Sequence, residues 1–268
     1  MKKKSQLPLE RIKDGLQTSF MGQKIFYFEE AASTNDLAKE LAEKGVEEGT
    51  VVIAETQTHG KGRLGRRWIS PRGGTWFSVV LRPAIGSKDA PKIVFMAAVA
   101  IAKTIRNMLR LTAKTKWPND VLVHNKKVCG LLAETSISDD NINFIVLGIG
   151  INSNVDTNAF PKELTGSLTS LKKEAKREIP REEFLQALLK EMEHYYNEFT
   201  QGRFTQILEE WKSLTDMIGK DVEVVSFKER FEGRTIDVDQ DGALIVKLKN
   251  GSIKRLLSGD ASIRQGGL

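Results

Sequence analysis

The distribution of apolar residues predicts a series of strands in the first 150 residues. Seven short runs are rich in β-branched and aromatic residues and are bounded by turn residues, which is typical of strands. These runs span residues 24–28, 50–55, 75–81, 115–117, 121–123, 127–137 and 143–151. The last run has Gly148 and Gly150 at alternate positions, so one face of that strand lacks side chains there. Either a flat ligand or a closely packed helix could cover this face.

Apolar residues at helical spacing predict several helices around these strands. The helices cover residues 9–16, 91–110, 181–201 and 203–214, of which the second has a broad apolar face. A further helix begins at Ser33-Thr34-Asn35, where Ser33 and Asp36 fit a capping box and Gly45 fits the C-terminal cap. The hydroxyls at this helix start either cap the helix or contact a ligand beyond the sheet edge.

The composition changes near residues 215–219. From there onward, short strands alternate with the hairpin dipeptides Asp241-Gly242 and Asn250-Gly251. About 50 residues of this pattern predict a small SH3-like β-barrel. We therefore expect an N-terminal tail or linker (1–24), a large α+β domain (25–217) and a barrel domain (218–268).

Composition limits the possible classes of protein. The chain has 268 residues, 40% of them hydrophobic, and a formal net charge of +6. Its apolar runs are too short for a transmembrane helix, and the N-terminus MKKKSQLPLE lacks the apolar stretch of a secretory signal. The single cysteine, Cys129, excludes an internal disulfide and is expected to be a small buried residue. We expect a cytoplasmic protein that does not bind membranes.

A basic, glycine-rich loop lies between two of the predicted strands. Residues 59–81 include five basic residues and no acidic one, and three glycines separate most of the basic residues. Backbone N–H groups and guanidinium groups in such a loop can surround a phosphate. A solvated loop or a nucleic-acid patch fits the loop equally well when it is taken alone. The loop is not a P-loop, because Gly60-Lys61 is followed by Gly62 and a strand rather than by Ser/Thr and a helix.

Three stretches together resemble the biotin protein ligase family. They are GKGRLGRRW at 60–68, KWPND at 116–120 and KVCGLLAE at 127–134. Residues 33–35 and 148–152 also match that family's helix-start and glycine-strand motifs. Each motif is weak alone, but their order and spacing are specific.

The similarity runs from about residue 26 to the C-terminus. It implies a mixed β-sheet with helices on one face, related to class II aminoacyl-tRNA synthetases, followed by a small SH3-like β-barrel. Many bacterial relatives also carry an N-terminal DNA-binding domain. Only about 25 residues precede the first strand here, so we expect a form without that domain and without operator binding.

The resemblance implies a two-step ligase. Biotin and ATP would give biotinyl-5′-AMP and pyrophosphate, with Mg²⁺ as cofactor. The biotinyl group would then pass to one lysine of a biotin carboxyl carrier protein of an acyl-CoA carboxylase. A homodimer is also expected by analogy.

The resemblance also implies roles for individual residues. The implied catalytic residues are Lys127, Arg63, Lys116 and Asp120. The implied biotin contacts are Ser33, Thr34, Asn35, Gln57, Gly60, Lys61, Arg63, Trp68, Lys127 and Gly130. The implied ATP or adenylate contacts are Arg63, Arg66, Trp68, Lys116, Asn119, Asp120 and Asn152. Metal ligands are not assigned, although Asn119 and Asp120 are expected to help place Mg²⁺ and ATP.

Three other functions compete with this interpretation. A lipoate or octanoate ligase shares the fold and the adenylation chemistry, and a biotin sensor would bind without catalysis. A nucleic-acid-binding module would use the basic loop, but residues 219–268 carry nine basic and eight acidic side chains, which is close to balance.

Lys61 departs from the family, which often has Arg there and so gains a planar guanidinium. His59 and His124 are given no role.

Overall fold

A seven-stranded mixed sheet forms the centre of the molecule. The computed structural model describes residues 9–226 and 229–263. The strands are β1 (Ile25–Ala31), β2 (Val51–Gln57), β3 (Thr75–Leu81), β4 (Ala113–Lys116), β5 (Asp120–Val123), β6 (Lys126–Ser138) and β7 (Asn141–Ile151). Their order is β1-β2-β3-β7-β6-β5-β4. Only the β1–β2 pair is parallel among the pairs of this sheet.

The main helical layer covers one face of this sheet. It consists of α3 (Ile93–Leu109), α5 (Arg181–Thr200) and α6 (Phe204–Ser213), with the short helices α1 (Leu9–Asp14) and α4 (Leu171–Ala175) at its margins. Val51 and Ile53 of β2 pack into this layer, whereas Val52 packs against α2 (Thr34–Glu43). The helix α2 therefore lies on the opposite face. The predicted mixed sheet with a helical layer on one face is confirmed. The helix α2 was also predicted, but it lies on the face opposite this layer.

Strands β6 and β7 form a long hairpin that leaves a patch of the sheet without side chains. Their register pairs Gly130 with Gly150, and Leu132 with Gly148. Because side chains alternate between faces, these four residues lie on one face. Leu131 and Ile149 point to the other face and pack in the main core. The patch faces the same side as α2.

A second, five-stranded sheet follows. Its strands are β8 (Asp221–Val225), β9 (Arg230–Val238), β10 (Leu244–Leu248), β11 (Ile253–Leu256) and β12 (Asp260–Ile263), in the antiparallel order β11-β10-β9-β8-β12. Gly242 and Gly251 occupy the hairpin turns with positive φ, as their dipeptides predict. The SH3-like fold is confirmed, although β12 was not predicted.

The two sheets share one apolar core. Val222 and Val246 of the second sheet belong to the same cluster of buried residues as α3. The Trp117 indole Nε1 donates a hydrogen bond to the Gly242 carbonyl oxygen at 3.0 Å. These contacts join the two sheets, and the hydrogen bond from Arg63 to the Gly259 carbonyl oxygen joins the start of β12 to the basic loop.

Residues 9–24 pack on the helical layer rather than forming a solvated segment. Ile12 and Met21 are completely buried. The backbone N–H groups of residues 19–21 donate to the carboxylate of Glu193, at 2.7–2.9 Å. Residues 1–8 of the predicted tail lie outside the described part of the chain. Within the described ranges, no helix has the length and apolar character needed to cross a membrane.

Candidate active site

A cavity of about 720 Å³ is lined on one side by Gly130, Gly148 and Gly150, which we call the glycine patch. Its walls come from the start of α2, the basic loop, the β4–β5 turn, the segment 160–168 and β12. All the predicted site residues line this cavity except Gly60. Gly60 lies behind the wall, where its carbonyl oxygen accepts a hydrogen bond from Trp68 N–H and a Cβ would overlap the Trp68 carbonyl. Gly60 thus shapes the loop at Trp68, and its predicted biotin contact stays a prediction.

One end of the cavity is a network of uncharged polar groups. Gln57 Oε1 accepts hydrogen bonds from Thr34 N–H at 2.8 Å and from Thr34 Oγ1 at 3.1 Å. Ser78 Oγ lies 2.8 Å from Thr34 Oγ1 and 2.7 Å from Asn35 Oδ1. Asn35 Nδ2 donates to Glu134 Oε2 at 2.6 Å. Thr34, Asn35 and Ser78 are buried, so these groups are held in fixed positions.

This network has fewer hydroxyl protons than oxygen–oxygen contacts. The hydroxyls of Thr34 and Ser78 supply two protons, but three oxygen–oxygen contacts connect them with Asn35 Oδ1 and Gln57 Oε1. The two amide oxygens can only accept. The network is therefore rich in acceptors and suits a ligand that donates N–H hydrogen bonds.

Ser33 does not act as the predicted helix cap. It stands at the N-cap position of α2, but its side chain makes no capping hydrogen bond, and it is buried against the cavity. Its predicted capping partner Asp36 pairs with Lys61 instead. The ligand-facing alternative for this helix start is the one that the structure favours.

Two different groups cover the glycine patch. A Cβ at Gly148 would overlap Asn35 Oδ1, and one at Gly150 would overlap Trp68 Nε1. A Cβ at Gly130 would lie 2.9 Å from Trp68 Cζ3. A helix start thus packs on Gly148, and the flat indole lies over Gly130 and Gly150. Trp68 Nε1 is buried and has no hydrogen-bond partner within the described residues.

Lys127 stands between the two ends of the cavity. Its Nζ lies 2.6 Å from Asp120 Oδ1 and 5.0 Å from the centre of the Trp68 ring. Its backbone pairs with the segment 167–169 through hydrogen bonds of 2.8 and 3.0 Å. Cys129, two residues further on, is buried on the opposite face, and burial raises the pKa of its thiol. The prediction that Cys129 is a small buried residue is confirmed.

The other end of the cavity collects cations from the basic loop. Arg63 Nη1 donates to Asn119 Oδ1 at 3.0 Å and to the Gly259 carbonyl oxygen at 3.2 Å. Arg66 forms an ion pair with Asp260 of β12, which also lies 3.8 Å from Arg63. Burial lowers the pKa of Arg63, while the charges of Asp260 and Asp120 act in the opposite direction.

Lys61 points away from this cluster. It pairs with Asp36 of α2 and lies 3.9 Å from Glu134. The hydrogen bond with Asp36 raises the pKa of Lys61, against the effect of burial. The charge at this position therefore faces α2 rather than the loop arginines.

Lys116, Asn119 and Asn152 complete the wall. Lys116 lines the cavity from the end of β4, and Asn119 Nδ2 donates to the Leu131 carbonyl oxygen at 2.5 Å. Asn152 Nδ2 donates to the Thr169 carbonyl oxygen at 3.0 Å. Its Oδ1 is buried without a hydrogen-bond partner in the described part of the chain.

Comparison with known proteins agrees with this geometry. A model described as the biotin/lipoate A/B protein ligase family matches residues 27–152, and one described as the biotin protein ligase C-terminal domain matches residues 217–264. The bifunctional ligase/repressor BirA of Bacillus subtilis (strain 168) is 36% identical over 264 residues, which cover 98% of this chain and 81% of that protein. The chain belongs to the biotin protein ligase family.

A second relative and a solved structure support this membership. The biotin–[acetyl-CoA-carboxylase] ligase of Paracoccus denitrificans is 31% identical over 219 residues, which cover 80% of this chain and 90% of that protein. The biotin protein ligase of Aquifex aeolicus, in complex with biotin and ATP, superposes with a TM-score of 0.78 at 28% identity. That superposition covers 91% of this chain and 100% of the other. This member of the biotin protein ligase family is therefore a ligase enzyme.

Ser78, Glu134 and Asp260 hold predicted site residues of this ligase in place but were not themselves predicted. Glu134 closes the KVCGLLAE stretch and lies on the same face as Gly130 and Leu132, so strand alternation was a usable signal. Ser78 lies in a strand that is buried throughout. Asp260 comes from the other sheet, and its position depends on how the two sheets pack.

The cavity offers oxygen ligands for a metal only in small number. No group of three His, Cys, Asp or Glu side chains that could hold a metal ion occurs in residues 9–226 and 229–263. Asp120 and Asn119 are adjacent at the cation-rich end. Mg²⁺ commonly binds through one or two carboxylates together with substrate phosphates, so these residues fit an ion that arrives with ATP.

Proposed function

We propose that this protein is an ATP-dependent biotin protein ligase. It joins biotin to ATP, giving biotinyl-5′-AMP and pyrophosphate, and then transfers biotin to one lysine of a biotin carboxyl carrier protein of an acyl-CoA carboxylase. The observation that carries the proposal is the position of Lys127, between an acceptor-rich uncharged network and a cluster of arginines. The names of the Paracoccus ligase and of the Aquifex complex with biotin and ATP support the same substrates.

The uncharged network binds the ureido ring of biotin. The ring's two N–H groups supply protons to the cavity-lining oxygens of Thr34 and Asn35, for which Ser78 has only one proton. Gly130 and Trp68 form a flat apolar wall for the rest of the bicyclic ring. Ser33 and Gln57 supply further polar contacts at the same end.

Adenylation takes place at the cation-rich end. An oxygen of the biotin carboxylate attacks the α-phosphorus of ATP, and the bond from that phosphorus to the bridging oxygen breaks, which releases pyrophosphate. Both reactants are anions, so Lys127, Lys116 and the loop arginines Arg63 and Arg66 lower their mutual repulsion and stabilise the charge that develops. A bound Mg²⁺ would supply further neutralisation of the phosphates.

Transfer releases AMP. The amine of the carrier lysine attacks the acyl carbon of the mixed anhydride, the bond to the AMP oxygen breaks, and the amine loses a proton. Asp120 is the carboxylate that lies beside Lys127, and we assign it the role of accepting this proton. Asn119 and Asn152 border the nucleotide.

We also propose that the catalytic domain comprises residues 25–217 and the barrel domain residues 218–268. The barrel brings Asp260 to the loop arginines, so both domains contribute to one cavity. The homodimer, the cytoplasmic location and the absence of operator binding stay predictions.

A lipoate or octanoate ligase is the nearest alternative, because the family model that matches residues 27–152 includes lipoate ligases. The dithiolane ring of lipoate and the alkyl chain of octanoate have no N–H donors. Either ligand would leave the buried oxygens around Ser78 without the protons that they need. The acceptor-rich network therefore favours biotin. A sensor without catalysis has no use for the charged pair Lys127–Asp120 at the centre of the cavity.

The test is ATP–pyrophosphate exchange by the purified protein, run separately with biotin, lipoate and octanoate. Exchange with biotin alone supports the proposal, and exchange with lipoate or octanoate supports the alternative. No exchange with any of the three refutes adenylation. Streptavidin detection of a carrier domain after incubation with biotin and ATP tests the transfer step, with a carrier that lacks its target lysine as the control.

A further inference from the structure

Glu134 is a charged residue at the edge of the uncharged network. Its Oε2 accepts a hydrogen bond from Asn35 Nδ2 at 2.6 Å, and Asn35 is buried. It lies on β6, on the face that carries the glycine patch. No step of the proposed mechanism uses it.

The ionised carboxylate fixes which way the Asn35 amide points. A carboxylate can only accept hydrogen bonds, so the NH₂ group of Asn35 must face Glu134 and its oxygen must face Ser78. The Ser78 hydroxyl then donates to Asn35 Oδ1. The Ser78 proton is then not donated to Thr34 Oγ1, and the lone pairs of Thr34, which lines the cavity, are left to accept a proton from the ligand.

A neutral amide at position 134 would remove this constraint. The Asn35 amide could then rotate and donate to Ser78, which adds one proton to a network that has to accept protons from the ligand. The network would compete with the ligand's N–H groups instead of binding them. The direction of the hydrogen bonds in the network therefore depends on a residue that does not line the cavity.

We propose that Glu134 is a positioning residue that holds the ring-binding network in its acceptor state through Asn35. This inference rests on the proposed function, since it assumes a cyclic urea with two N–H donors as the ligand. It concerns the affinity for biotin, and it predicts no direct effect on the phosphate end of the cavity.

The test exchanges the amide donor at position 35 with the carboxylate acceptor at position 134. In Glu134→Gln the constraint is lost, and in Asn35→Asp two carboxylates face each other. When both substitutions are combined, the new amide at position 134 donates to the new carboxylate at position 35, and that carboxylate still accepts from Ser78. Position 35 lies in the first turn of α2, where a negative charge is favourable. The biotin KM, the ATP KM and the kcat of ATP–pyrophosphate exchange are measured for the unmodified protein, the two single variants and the double variant.

We expect Glu134→Gln to raise the biotin KM about 10-fold and Asn35→Asp to raise it about 30-fold or more. We expect the double variant to return to within about 5-fold of the unmodified protein, with the ATP KM changed less than about 2-fold throughout. Thermal unfolding of each variant separates this effect from general destabilisation. A double variant that is as poor as Asn35→Asp overturns the inference, and so does an unchanged biotin KM in Glu134→Gln.

Lys61 requires a separate control because it lies 3.9 Å from Glu134. If Glu134 acts through Asn35, Glu134→Gln raises the biotin KM by the same factor in a Lys61→Gln background. If that factor disappears, Glu134 acts through Lys61 and the inference is wrong. Absence of biotin-dependent exchange in the unmodified protein refutes the proposed function instead, so the two failures are distinguishable.

Discussion

The two ends of the cavity are built in opposite ways. At the ring-binding end, Thr34 and Asn35 of α2 and Ser78 of β3 are buried, uncharged and joined by hydrogen bonds. At the phosphate end, Arg63 and Arg66 lie on a loop and are paired with Asp260 from another domain. The ring-binding end therefore holds its polar groups in fixed positions. At the phosphate end, the arginines form ion pairs in which a phosphate can replace the carboxylate.

This difference fits the chemistry of the two proposed ligands, biotin and ATP. A neutral ring is recognised by the direction of hydrogen bonds, so its site gains from rigid, buried groups. In the proposed reaction the phosphates leave as pyrophosphate, so the cations that bind them need partners to which they can return. Gly65, at positive φ, lets the loop turn between Arg63 and Arg66, both of which line the cavity.

The largest expected effect is at the junction of the two ends. Lys127→Ala should lower the rate of biotin-dependent ATP–pyrophosphate exchange by about 10²–10³-fold, because it removes the cation nearest the reacting groups. Thermal unfolding should show that the variant folds. Lys126→Ala, a neighbouring lysine that does not line the cavity, is the matched control. Exchange at the unmodified rate in Lys127→Ala would remove Lys127 from the mechanism.

The next prediction tests the rigidity of the ring-binding end. In Gly148→Ala, the new methyl group overlaps Asn35 Oδ1, so the network must shift. We expect the biotin KM to rise about 30-fold, equivalent to about 2 kcal/mol. Gly166→Ala is the matched control, because its Cβ would meet no atom within 4 Å. An unchanged biotin KM in Gly148→Ala would show that the ring-binding end rearranges to accept the methyl group. It would contradict the rigidity of that end.

A smaller effect is expected at the phosphate end. Arg63→Ala should still form biotinyl-5′-AMP but release it about 10-fold faster, because one charge-assisted contact to the phosphate is lost. The measurement is the dissociation rate of pre-formed adenylate. Lys212→Ala, whose lysine pairs with Glu209 and Asp237 outside the cavity, provides the control. An adenylate that dissociates no faster than in the unmodified protein would exclude Arg63 from holding it.

The smallest expected effect is at Glu174, which contacts the segment 167–169 that pairs with the Lys127 backbone. Glu174 Oε1 accepts a hydrogen bond from Thr169 Oγ1, and its Oε2 lies 2.5 Å from His124 Nδ1. Burial alone would raise the pKa of Glu174, but these two hydrogen bonds, together with the charges of His124 and Lys126, leave the pKa below its ordinary value. A depressed pKa contributes stability above the unfolded-state value near 4.3 and loses it as the pH falls through the folded-state value.

Glu174→Gln should therefore lower the free energy of unfolding by about 1 kcal/mol at pH 7, and by less below about pH 4. Urea unfolding at the two pH values measures this difference. Glu178→Gln, which alters an exposed glutamate, should change neither value. A loss of stability in Glu174→Gln that is the same at both pH values would contradict this assignment.

The sequence predicted the elements of the fold better than the contacts between them. Strand β3 was predicted with its observed bounds, and the hairpin glycines Gly242 and Gly251 mark real turns. These features depend on neighbouring residues. Strand β12 was missed because only four residues define it and its pairing with β8 is what forms it.

The candidate site shows the same limit. The motifs predicted many of the lining residues, because each motif keeps its residues within one short stretch of chain. The roles of Glu134 and Asp260 depend on partners about 100 or more positions away, such as Asn35 and Arg63. The buried ion pair of Glu55 with Arg181 spans 126 positions and was also missed. Local pattern carries no information about such pairs.

Hydrogen–deuterium exchange tests the difference between the two ends most directly. The protein would be measured alone, with biotin, and with biotin plus ATP. Peptides covering Thr34–Asn35 and Gly148 should be protected in all three states. Peptides covering 61–67 should gain protection only when biotin and ATP are both present. Equal protection of residues 61–67 in all three states, or rapid exchange at Thr34–Asn35 in the protein alone, would contradict the account.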